Sequence, residues 1–166
     1  MGDPISIAGG IVNLGKTAWD IVKDGKATSG AQTSFCSAVP ANIPFNELSG
    51  WKNQSKEWEW NISGGFGNDL VEATLKYNFQ YAGITDKVKN AVFVTNFSVW
   101  CVKIEVAFLA GANINATVKG DPYNAGSKDK PIAAIPLLVT AAFNGSNALS
   151  RTWLLTAHGD GSLSVG

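Results

Sequence analysis

Val71-Glu72-Ala73-Thr74-Leu75-Lys76-Tyr77-Asn78-Phe79-Gln80-Tyr81 alternates apolar and polar residues without a fault. Successive side chains of a β-strand point to opposite faces, so this stretch predicts a long strand buried on one face and solvated on the other. Upstream, Trp58, Trp60 and Ile62 alternate with Glu59 and Asn61, and the Gly-rich run 64–69 reads as the turn between the two strands. Residues 35–49 carry Pro40 and Pro44, which suits an edge strand or an extended linker. Downstream, 91–109 is too long for one regular strand. Val92 and Val94 share one parity, Phe93, Phe97 and Val99 the other, and Trp100, Val102, Ile104, Val106 and Phe108 return to even positions. A bulge near Ser98–Trp100 accounts for the change of phase.

Ala110-Gly111-Ala112-Asn113 predicts a hairpin turn into a strand over 114–118, and 120–130 is a polar loop. Leu137, Val139, Ala141 and Phe143 mark the next strand. Asn144-Gly145-Ser146-Asn147 turns it into Leu149, Arg151, Trp153, Leu155 and Ala157, and a short strand over 163–165 closes the chain. This pattern predicts a mainly β protein, an antiparallel sandwich or barrel of about seven or eight strands.

The N-terminus has a different period. Asp3-Pro4 is a helix-start signal and Gly25 a plausible stop. At 100° per residue, Ile7, Ala8, Ile11, Val12, Leu14, Ala18, Trp19, Ile21 and Val22 fall on one half of a helical wheel. Asn13, Lys16, Thr17, Asp20, Lys23 and Asp24 fill the other. The expectation is an amphipathic α-helix over 1–25, a flexible linker over 26–34 and a β-sandwich domain over 35–166. The helix either packs on the sheet as core or detaches to meet a bilayer or another copy of the chain.

Hydrophobic residues make up 45% of the 166-residue chain and charged residues 16%, against roughly 25% charged in an ordinary soluble domain. Lys plus Arg equals Asp plus Glu at 13 each, so no net field draws nucleic acid. No long apolar run predicts a membrane-crossing helix. The N-terminus lacks the basic and apolar regions of a secretory leader, so the expected location is cytoplasmic, or outside the cell by a route without such a leader. The sequons at Asn53, Asn61, Asn96, Asn115 and Asn144 then read as products of an Asn- and Ser-rich composition. Cys36 and Cys101 have three readings: buried small residues, a disulfide, or a reactive thiol.

Catalytic chemistry finds little support. The lone His158 lies in a Gly-rich turn, and Gly64-Gly65-Phe66-Gly67 lacks the Lys-Ser/Thr of a phosphate loop. The Asp121–Asp129 stretch lacks alternating oxygen ligands for calcium, and Glu57 and Glu59 suit the solvent face of a strand. No enzyme, cofactor or metal is expected. Aromatic side chains are the remaining signal. Trp58, Trp60, Trp100 and Trp153 have core parity, whereas Trp51 and Tyr123 fall in loops, where they suit a sugar or a lipid headgroup.

The leading expectation is a non-enzymatic, membrane-active β-sandwich, pore-forming or cytolysin-like, whose N-terminal amphipathic helix engages lipid or mediates oligomerisation. In plan it is similar to actinoporin-type cytolysins, which set a short amphipathic helix ahead of a β-sandwich. The alternatives are a carbohydrate-binding, lectin-like module using Trp51 and Tyr123, or a self-assembling structural or storage protein. The expected partners are therefore a lipid bilayer or a glycan, and other copies of the chain.

Overall fold

The computed structural model describes residues 10–28, 34–64, 69–108, 110–145 and 148–166. Two antiparallel sheets face each other as an open sandwich. The first runs β1 (Ile11–Val12), β4 (Cys36–Pro40), β7 (Val88–Val106), β6 (Asp69–Thr85) and β5 (Lys52–Ser63). The second runs β12 (Leu163–Val165), β11 (Leu149–His158), β10 (Ala133–Asn144), β8 (Gly111–Val118), β2 (Ala18–Lys23) and β3 (Lys26–Ala27), with β9 (Tyr123–Asn124) paired to the start of β10.

The alternating stretch behaves as its sequence predicts. Val71, Ala73, Leu75, Tyr77 and Phe79 are buried, and their polar neighbours face out. Phe79 meets Phe97 edge to face at 5.8 Å between ring centroids. β7 packs across the sandwich onto β10, β11 and β2. The long β7 shifts register against β6 at four places, not one. Two of the shifts fall between Asn78 and Gln80, where Asn96 has φ +52°, and between Thr74 and Leu75, opposite Lys103 and Cys101. Because the shift at Cys101 and Lys103 falls beyond Trp100, that ring stays on the outer face opposite Lys76, 5.9 Å beneath its ammonium and outside the core predicted for it.

The N-terminal helix is a correction. Among the described residues there is no α-helix. Ile11–Val12 and Ala18–Lys23 are strands, while Ile7 and Ala8 lie outside the described residues. The backbone explains the difference. Gly15 has φ +121°, and a Cβ there would sit 2.2 Å from the Phe35 carbonyl oxygen. Asp24 and Gly25 have φ +52° and +72°, the paired left-handed conformation of a tight hairpin turn, here joining β2 to β3. The Gly taken for a helix stop is therefore half of an Asp-Gly hairpin. The supposed linker begins with β3, and residues 29–33 are outside the described part.

This segment belongs to the core. Trp19, Ile21 and Val22 are buried, and Trp19 Nε1 donates across the sandwich to Val99 O at 3.2 Å. Leu14 is 47% exposed, Ala18 is exposed, and Ile11 and Val12 are half-buried against β4.

The sheets are also joined by main-chain bonds at one end. Ala82 N, in β6, donates to Gly159 O, and Gly159 N donates to Ala133 O, in β10, both at 2.8 Å. A Cβ on Gly159 would stand 2.2 Å from Val92 O, so no larger residue fits without moving backbone. Val92 N donates to Pro131 O at 3.1 Å beside it.

The burial pattern yields a direct test. Ile21→Ala should destabilise the fold by about 2–5 kcal/mol, as expected for a fully buried aliphatic side chain. Leu14→Ala, at an exposed site, should change it by less than about 1 kcal/mol. Equal urea midpoints for the two variants would contradict a core role for β2.

Candidate functional site

β5 is the edge of the first sheet, and β12, beside β11, is the edge of the second. The inner-face row of β5 begins with Lys52, Gln54 and Lys56 before Trp58 and Trp60, opposite Tyr81, Phe79, Tyr77, Leu75 and Ala73 of β6. On the other sheet, Arg151 precedes Trp153 and Leu155 on the inner face of β11, and Leu163 and Val165 of β12 extend the wall. A cleft of about 620 Å³ lies between these edges, within the size range of small-ligand sites. Gly161 and Ser162 form one boundary, where Gly161 lies so close to the Tyr81 ring that a Cβ would approach it to 2.6 Å.

The walls are aromatic. Trp58 meets Trp153 edge to face at 6.1 Å and lies 6.2 Å from Tyr77, while Trp60 closes on Trp153 at 6.3 Å. The Arg151 guanidinium stands 5.5 Å over the Trp153 ring, a cation–π placement. The Trp58 Nε1–H is buried and has no hydrogen-bond partner, alone in this among the buried side-chain polar atoms of the described residues. A buried donor without an acceptor costs about 1–3 kcal/mol. Glu57 borders the cleft but is paired with Lys76 at 3.1 Å. Neither Lys56 nor Arg151 forms an ion pair among the described residues.

The loop aromatics singled out in the sequence are not brought together here. Trp51 is half-buried, stacks on Phe45 at 5.7 Å with 13° between planes, and covers Gly83, where a Cβ would meet its ring at 2.2 Å. Tyr123 is exposed on β9, opposite Ala134. The site residues missed were Gln54, Lys56 and Arg151, together with Trp58, Tyr77 and Trp153, which looked like ordinary core. A signal was present: the polar run 52–57 continues the phase of Trp58 and Trp60, so its even members share their face.

Other candidates have local explanations. His158 Nε2 lies 2.9 Å from Ser164 Oγ, but Asp160 Oδ1 accepts from the Ser162 amide and hydroxyl. Those bonds to Ser162, and the charge of His158, hold the Asp160 carboxyl below its ordinary range against an opposing desolvation. In the polar loop, Asn124 Oδ1 accepts from the amides of Gly126 and Ile132 and so shapes the turn. No cluster of three metal-ligating side chains occurs among the described residues, and none of their helices is long and apolar enough to cross a membrane. No family model, curated protein or solved structure matches this chain.

Cys36 and Cys101 are free thiols, not a disulfide. Burial pushes the Cys36 thiol strongly up, and pushes Cys101 up to about 11 against a smaller opposing effect of the Lys103 backbone. Burial disfavours the thiolate in the fold, so stability should fall once the pH passes the ordinary thiol value of 9.0, where the unfolded chain ionises first. Alkylation of the native protein should label Cys101 slowly and faster as pH approaches 11. Cys36 should react only after unfolding. Mass spectrometry showing fast labelling of both at neutral pH would contradict this.

Proposed function

We propose that this protein is a non-catalytic binding module whose ligand is a saccharide held in the cleft between β5 and β11–β12. The observation that carries this reading is the unfilled mouth of the sandwich. Positions that should hold core side chains carry Gln54, Lys56 and Arg151 beside the Trp58, Tyr77 and Trp153 rings. A sugar ring has apolar C–H faces and a rim of hydroxyls. It therefore matches aromatic walls with interspersed donors and acceptors better than a purely apolar ligand does. Burial of the unpaired Trp58 N–H adds a donor that an incoming oxygen could satisfy after a small ring movement. This reading keeps the lectin-like alternative and moves it from the loop aromatics to the sheet edges.

Tryptophan fluorescence during saccharide titration, guided by a glycan array, tests it. A bound sugar should shift the emission, and Trp58→Phe should weaken binding by about tenfold or more while leaving the fold as stable or slightly more so. A blank array, or binding indifferent to Trp58→Phe and Lys56→Ala, would remove the proposal.

One observation favours membrane contact as a second reading. Phe108, in the connection from β7 to β8, is 92% exposed. A phenyl ring so placed can enter a bilayer interface without any helix being released. Co-sedimentation with phosphatidylcholine and phosphatidylserine vesicles should then depend on Phe108, with Phe108→Ser abolishing it. Vesicles that leave the wild-type protein in the supernatant would end that reading.

A further inference from the structure

We infer that the cleft selects anionic saccharides, carrying a carboxylate or a sulfate, over neutral ones. This rests on the saccharide reading above and concerns only the ligand's charge. Among the cleft's charged groups, the carboxylate of Glu57 is already neutralised by Lys76 at 3.1 Å. Lys56 on one wall and Arg151 on the other have no carboxylate partner among the described residues. Each stands on the inner-face row of its strand, at the end where the row leaves the core.

The chain is neutral overall, with 13 cationic and 13 acidic side chains, so this local excess does not reflect a basic protein. It is a placement. Arg151 lies over the Trp153 ring at 5.5 Å, which orients its planar fork of donors along the aromatic wall. A guanidinium so held can donate two parallel bonds to a carboxylate or sulfate while the sugar ring rests on the indole. Lys56 would supply a second, more mobile cation from across the cleft. A neutral sugar would leave both charges without a counter-charge, and so gains less from the same aromatic contact.

Inward-facing charges on edge strands also discourage strands from pairing with other chains. The experiment separates the two roles. Wild-type protein, Arg151→Gln, Arg151→Lys and Lys56→Gln are titrated by calorimetry and tryptophan fluorescence. The probes are a galacturonic acid trisaccharide, a sulfated galactose trisaccharide and the uncharged galactose trisaccharide. At low salt, both charged probes should bind at least about tenfold more tightly than the neutral one, and that advantage should shrink as salt screens the pair. Arg151→Gln should remove most of the preference and Arg151→Lys should retain part of it, the readout being the ratio of charged to neutral affinity in each variant. Matched unfolding midpoints verify that the exposed substitutions leave the fold intact.

Equal affinity for charged and neutral trisaccharides, lost on Trp58→Phe, would overturn charge selection and leave the cleft a saccharide site. A preference that survives Arg151→Gln and Lys56→Gln would overturn the assignment to these cations. If no probe binds and the glycan array is also blank, the parent reading fails and this inference falls with it. Self-association of Lys56→Gln and Arg151→Gln without any change in sugar binding would assign the two charges to edge protection instead.

Discussion

Gly159 brings the two sheets within main-chain hydrogen-bonding distance, and only a residue without a side chain permits that approach. Its carbonyl accepts from β6 and its amide donates to β10, so one residue bridges the two layers. Side-chain packing normally keeps stacked sheets about 10 Å apart. The cleft lies between β5, at the edge of one sheet, and β11 and β12, at the edge of the other, and Gly161 and Ser162 bound it just beyond that contact.

What the inner face holds changes from the centre to the cleft. Near β7 and β10 the space is filled by Phe79, Phe93, Phe97, Ile135 and Leu137, all fully buried. On β5 the inner row continues into Lys56 and Gln54, and on β11 into Arg151. Trp58, Trp60 and Trp153 stand at the transition, their rings meeting edge to face. Large amphipathic rings suit that position, since one side can pack while another borders water. The unsatisfied Trp58 N–H is an isolated defect among the buried side-chain polar atoms of the described residues, and it lies in a residue that lines the cleft.

The N-terminal segment shows how a sequence pattern can fit two structures. Nine apolar residues over 7–22 sort onto half of a helical wheel, yet the described part of that segment forms strands that complete both sheets. β2 is short, and its apolar positions Trp19, Ile21 and Val22 satisfy a helical stripe as well as a bulged strand, whose register indeed slips between Asp20 and Val22. The deciding information was local: Gly10 and Gly15 at positive φ and the Asp24-Gly25 turn oppose a continuous helix. Across the sandwich, the bond from Trp19 to Val99 O fixes this segment as core.

The sequence by itself determined the strand-rich character, the long two-faced β6, the hairpin strands β10 and β11, and the division of buried from solvated residues along them. Those features follow from a two-residue period that each strand carries within its own sequence. Tertiary structure alone decided that Ala18–Lys23 joins β8 in a sheet, that β7 shifts register beyond Trp100 and leaves that ring outward, and that Lys56 faces Trp153's wall across a cleft. Each depends on register or on partners 50 to 100 residues away, as with Lys56 and Arg151, and no local period encodes the distance between two sheets.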